Sequence, residues 1–112
     1  MQPPDDTGVT LFCDLSALTA AQRQRHRELA LQLRPRVAMF IEIADGYRAR
    51  FDGNVDESVA EFCELEQRCC PFFTLTLRRD GADSELEVTG PGDVKPFIRA
   101  EFGIVEADLQ HD

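Results

Sequence analysis

The chain has 112 residues, of which 12 are Lys or Arg and 21 are Asp or Glu, so its formal net charge is −9. This length suits one domain, and 43% hydrophobic with 29% charged residues is typical of a globular protein. Phosphate backbones and anionic membrane surfaces repel such an excess of negative charge. Length, composition and charge therefore exclude a disordered chain and disfavour a binder of nucleic acid or membranes.

The chain carries no recognisable targeting segment. Residues 1–12 lack the basic and apolar regions of a secretory signal, and no apolar stretch approaches the ~20 residues that cross a bilayer. We therefore expect a cytoplasmic protein with reduced thiols, and we do not interpret Cys13, Cys63, Cys69 and Cys70 as a disulfide framework. The four cysteines then require another explanation.

The first elements are an arm and a helix. Residues 1–10 are polar with two prolines and predict a flexible arm. Leu11–Leu15 is interpreted as a short strand or packed extended segment, where the ordered domain begins. A capping box at Thr19 and apolar residues at helical spacing predict an amphipathic helix over residues 20–34, which Pro35 ends.

Alternating apolar residues predict a β-hairpin over residues 37–51, with Asp45 and Gly46 in a type I′ turn. Most apolar side chains of its first strand share one face. We therefore expect the opposite face, with Phe40 and Glu42, to be partly exposed and available for a homodimer contact.

A second helix is predicted from about Asn54 to Cys69, because Pro71 biases Cys70 away from helical backbone angles. Residues 72–89 alternate around an Asp-Gly turn and predict a second hairpin.

The last helix is predicted between an N-terminal cap at Asp93 and a C-terminal cap at Gly103. Residues 11–104 then form one domain, followed by an acidic tail at 105–112. The order helix, hairpin, helix, hairpin, helix predicts an α+β fold, in which a four-stranded, mostly antiparallel sheet has helices covering one face.

The second helix carries the candidate catalytic residue, Glu66. At about 100° per residue, Glu66 lies on the apolar stripe of this helix with Val59 and Phe62. Burial of a carboxylate is costly and raises its pKa toward values useful for general acid–base catalysis. We expect either an arginine partner, which makes Glu66 a structural brace, or contact with cysteine sulfurs, which suits a proton donor.

Cys69 and Cys70 are candidate metal ligands, because adjacent thiols at a helix end can reach one soft cation where the chain turns. The negative end of the helix dipole disfavours thiolate nucleophiles there. Cys13 is a candidate third ligand from a distant segment, and we predict its sulfur within about 4 Å of the Cys69 or Cys70 sulfur. Cys63 and His26 lie on apolar helix faces and are interpreted as packing residues.

Four segments carry a resemblance that covers residues ~13–103. They are Asp14–Thr19, Asp45–Phe51, Leu65–Phe73 and Gly90-Pro91. In them the chain resembles a group of small uncharacterised bacterial proteins marked by an E-x-x-C-C-P-F segment. The resemblance implies a shared fold and singles out Glu66, Cys69 and Cys70.

These observations predict a cytoplasmic thiol-rich protein that binds a soft metal or metalloid ion through Cys69, Cys70 and Cys13. The candidates are Hg(II), Zn(II), Cd(II), Cu(I) and As(III). An alternative is a small non-catalytic protein-interaction domain whose cysteines belong to the core. A further alternative is an enzyme that uses the Cys pair with Glu66, either for thiol redox chemistry or to cleave organometals as organomercurial lyases do with two cysteines and a carboxylate.

Overall fold

A computed structural model describes residues 13–110 of the chain. The predicted extended segment at Leu11–Phe12 and the arm at 1–10 lie outside these residues. The elements in chain order are α1 (Ala20–Leu33), β1 (Val37–Ile43), β2 (Gly46–Phe51), α2 (Asp56–Cys69), β3 (Thr74–Asp80), β4 (Asp83–Thr89), α3 (Lys95–Phe102) and β5 (Leu109–Gln110). The longest of these helices, α1 and α2, have 14 residues each and none is suited in length and apolarity to cross a bilayer.

The described chain forms an α+β fold, as predicted, with four antiparallel strands and three α-helices. The strand order is β3-β4-β2-β1-β5. The short strand β5 pairs parallel to β1 and extends the sheet to five strands. This strand falls within the segment predicted as an acidic tail.

The helix ends follow local signals. Thr19 and Gln22 form the predicted capping box, and Gly103 ends α3 with φ +65°. Asp93 does not cap α3, because the residue at that position is Val94, which makes no side-chain capping bond. The cap prediction at Asp93 is therefore wrong by one position.

The turn of the first hairpin differs from the predicted type I′ turn. Asp45 and Gly46 do not adopt positive φ, and Gly46 already pairs with Ile43 as the first residue of β2. A Cβ atom on Gly46 would lie 1.9 Å from the carbonyl oxygen of Val88 on β4. Glycine is required here by the close approach of β4 rather than by the turn.

The buried face of the sheet is the one that carries Phe40, so the expectation of an exposed Phe40 face is wrong. Phe40 is aligned across the sheet with Ala49 and Leu86, and all three are buried. On the other face, Arg48 bonds to Glu87, and both charged side chains are partly exposed to water. The face assignment was set by the neighbouring strands and not by the alternation within β1.

Candidate metal site

The Cys-Cys-Pro-Phe segment ends α2 with a change of backbone direction. Cys69 is the last helical residue, and Cys70 leaves the helix with φ −127° and ψ 68°, as Pro71 requires. The Cys70 N–H still donates to the Glu66 carbonyl at 2.7 Å. This turn brings the sulfurs of Cys69 and Cys70 to 3.8 Å from each other, in the buried core.

Cys13 reaches the same place from the segment before α1. The N–H of Asp14 donates to the carbonyl of Cys69 at 2.7 Å, which fixes that segment against the end of α2. Cys13 and Cys70 are joined by a disulfide. The predicted proximity of the Cys13 sulfur is confirmed. The expectation of four reduced thiols is wrong, because it rested on an expected cytoplasmic location, whereas the fold holds these two sulfurs in contact.

Cys13, Cys69 and Cys70 form the sulfur cluster of this structure. Cys69 is its free thiol, and it is protonated at neutral pH. Burial, with smaller contributions from the Glu66 and Glu101 carboxylates, raises its pKa to about 11. Cys63 is also free, but it lies outside the groups of converging ligand atoms found among residues 13–110. It lines a shallow depression with Arg68 and Leu75 instead.

Glu66 is fully buried, as the helical projection predicted. Its partner is His26 of α1 rather than the expected arginine, with Oε1 at 2.6 Å from His26 Nε2. This hydrogen bond raises the pKa of His26 above its ordinary value, although partial burial opposes the rise. The His26 ring also stacks on Phe62 with centroids 5.0 Å apart. His26 is therefore the charge partner of Glu66 as well as a packing residue.

The second carboxylate oxygen of Glu66, Oε2, is buried without a hydrogen-bond partner. Glu101 on α3 is the neighbour that can supply one by taking up a proton. Burial and the nearby Glu66 carboxylate raise the pKa of Glu101 to about 7. Sequence reasoning missed Glu101, because an acidic residue on a short amphipathic helix carries no signal of its own.

Two overlapping groups of ligand atoms result. One contains Cys13, Cys70, Glu66 and Glu101, and the other contains His26, Glu66 and Cys69; within each group the atoms lie within 4.8 Å of one another. The three predicted metal ligands and the predicted catalytic carboxylate therefore occupy one region. Sulfur, nitrogen and oxygen donors converge there from α1, α2, α3 and the segment at Cys13.

The stability of the fold is expected to fall as the pH rises from 4.5 to about 7, because Glu101 titrates late in the folded chain. In this range the folded state retains a proton that the unfolded state has released, so the free energy of unfolding decreases. Glu101→Gln should flatten this slope in urea unfolding at several pH values. In the control Glu61→Gln the slope should persist, since Arg25 lowers the pKa of Glu61 and moves its titration below this range. An unchanged slope in Glu101→Gln would contradict the assignment.

Comparison of the chain with protein-family models, with curated proteins and with solved structures gives no significant match.

Proposed function

We propose that the reduced chain binds one soft metal or metalloid ion through Cys13, Cys69 and Cys70. The observation that carries this proposal is the position of the Cys70 sulfur, which lies next to the sulfurs of both Cys13 and Cys69. Cys70 Sγ is bonded to Cys13 and lies 3.8 Å from Cys69 Sγ. Thiolates that share one ion in tetrahedral geometry, with metal–sulfur bonds of about 2.3 Å, lie about 3.8 Å apart. Cys69 and Cys70 already have this separation, and Cys13 must move away from Cys70 once the disulfide opens.

Binding requires the disulfide to be opened first. A thiol reductant supplies two electrons, and with two protons the bond becomes two thiols on Cys13 and Cys70. The ion then displaces the thiol protons, including that of Cys69, whose pKa of about 11 keeps it neutral until a metal is present. The disulfide is the oxidised, ion-free form of the same site.

The chemistry of the donors favours thiophilic ions as a class. Thiolates select Hg(II), Cd(II), Zn(II), Cu(I) and As(III) over hard cations such as Mg(II) and Ca(II). The buried position of Cys69 and Cys70 protects a bound ion from water and competing ligands. Carboxylate oxygens of Glu66 and Glu101 lie close enough to complete the coordination shell.

Thiol redox chemistry is a second candidate, favoured by the 3.8 Å approach of the Cys69 thiol to a disulfide sulfur. Attack of Cys69 on Cys70 would form a Cys69–Cys70 bond and release Cys13 as a thiol. The raised pKa of Cys69 leaves little thiolate for this attack. Organometal cleavage with Glu66 as the proton donor remains the further candidate, since its carboxylate lies within 4.8 Å of the Cys13 and Cys70 sulfurs.

The reduced protein is expected to bind one thiophilic ion per chain. Native mass spectrometry of reduced, desalted protein with each candidate ion measures the stoichiometry. The double variant Cys69→Ser/Cys70→Ser should bind none, because one thiolate remains at the site. Cys63→Ser is the matched control and should bind as the wild type does, since Cys63 lies outside the cluster.

Two outcomes would overturn the proposal. The first is stoichiometric binding by the double variant, which would place the ion elsewhere. The second is no binding of any candidate ion by the reduced wild type, which would make the cysteines core residues of a non-catalytic interaction domain.

A further inference from the structure

An apolar cavity of about 360 Å³ lies between α1, α3 and the buried face of the sheet. Its wall includes Leu33, Phe40, Leu86 and Ile98. Small-molecule sites commonly have volumes of roughly 300–1,000 Å³, and a dry apolar cavity of about 150 Å³ is enough to hold benzene. This cavity is therefore large enough for an aryl or short alkyl group.

The cavity shares two wall residues with the sulfur cluster. His26 and Glu101 both line it. A His26 ring nitrogen lies within 4.8 Å of Cys69 Sγ, and a Glu101 oxygen lies within 4.8 Å of the Cys13 and Cys70 sulfurs. His26 and Glu101 therefore border both the apolar cavity and the sulfur atoms.

We propose that the site takes a thiophilic atom that carries a small apolar organic group, such as an aryl- or alkylarsenic(III) compound. The arsenic is bound by thiolates and the organic group enters the cavity. An inorganic ion would leave the apolar cavity unfilled, and a plain hydrocarbon would form no bond to the sulfurs. The proposal rests on the proposed ion-binding function and narrows its ligand class.

Binding of such a compound is a ligand exchange without net oxidation. In a hydrated arylarsenic(III) compound two As–O bonds break and two As–S bonds form, while the As–C bond remains. Two water molecules leave with the two thiol protons. Cys70 is one of the two ligands, because its sulfur is adjacent to both others, and either Cys13 or Cys69 is the second.

The test compares phenylarsine oxide with inorganic arsenite on reduced, desalted protein, with affinities from titration followed by native mass spectrometry. Ala30→Leu adds volume to the cavity wall on α1. It should weaken phenylarsine oxide at least tenfold and leave arsenite within about twofold, because burial of an aryl ring contributes about 2–3 kcal/mol, or a factor of roughly 30–150. Ala21→Leu, on an exposed part of the same helix, is the matched control and should change neither affinity.

A second measurement needs no variant. Phenyl- and methylarsenic(III) compounds are titrated into the wild-type protein. The affinity of each compound for the protein is divided by the affinity of the same compound for dithiothreitol, which corrects for its intrinsic thiol affinity. This ratio should be at least tenfold larger for the phenyl compound. No phenyl preference and no effect of Ala30→Leu, with arsenite still bound, overturns this inference and leaves the proposed function standing. Failure of phenylarsine oxide and arsenite to bind also overturns this inference, and failure of every candidate ion removes the proposed function as well.

Discussion

Reduction of the Cys13–Cys70 disulfide is expected to lower the free energy of unfolding by about 4 kcal/mol. The bond joins residues 57 positions apart in the sequence, and the chain-entropy cost of a loop of this size is about 4 kcal/mol at 25 °C. A small domain has a total stability of about 5–15 kcal/mol, so reduction removes a large share of it. Urea unfolding of the oxidised and the reduced protein measures the difference.

A thiophilic ion is then expected to restore much of this stability, because it binds the folded state of the reduced chain. At one hundred times its Kd a single bound ion adds about 2.7 kcal/mol. Cys69→Ser keeps the disulfide and should still lose stability on reduction, but it should gain less from the ion.

The control for this experiment is Cys63→Ser, which should respond to reduction and to the ion as the wild type does. Equal stability of the oxidised and reduced proteins without an ion would show that the disulfide does not constrain the chain as the structure implies. A gain from the ion in Cys69→Ser equal to that of the wild type would remove Cys69 from the site.

Features with local causes could be predicted from the sequence. The start of α1 directly after Thr19 follows from a capping box, and the end of α2 at Cys69 follows from Pro71; both signals act within a few residues. The burial of Glu66 follows from helical periodicity alone. Each of these predictions needed only the residues on one turn or one face.

Features that depend on distant neighbours could not be predicted in the same way. β1 has apolar side chains on both faces, and the choice of the Phe40 face depends on its alignment with Ala49 and Leu86. The Asp-Gly pair predicts a turn at Gly46. The actual reason for glycine there is its contact with the Val88 backbone, which arises only when β2 pairs with β4.

The candidate site likewise contains residues that could be predicted from local sequence and residues that could not. The sulfurs were identified because thiols have few roles and adjacent thiols stand out. His26 and Glu66 are 40 residues apart, and no spacing rule joins them. Glu101 becomes chemically unusual only through the packing of α3 beside Glu66.

Loss of the histidine that partners Glu66 is expected to cost about 3 kcal/mol of unfolding free energy, the range for breaking a buried ion pair by removing one member. His26→Phe retains a ring that can stack on Phe62 but removes the nitrogen at 2.6 Å from Glu66 Oε1. The carboxylate then has neither oxygen partnered by a cation. Urea unfolding of the oxidised protein measures the loss. The exposed Arg25–Glu61 pair between the same two helices provides the control. Arg25→Ala should cost much less unfolding free energy, because that pair is solvated.

The double variant His26→Phe/Glu66→Met separates the charge from the packing. It should recover most of the stability lost in His26→Phe, because an apolar pair of similar volume avoids the desolvation of a buried carboxylate. The pH dependence gives a second check. Glu66 raises the pKa of His26 above 6.5, so the contribution of the pair is complete below pH 6.5 and is lost as the pH rises through the folded-state pKa. His26→Phe should abolish this loss of stability with rising pH. If His26→Phe/Glu66→Met is instead as unstable as His26→Phe, the imidazole stabilises the fold by its shape and not by its charge.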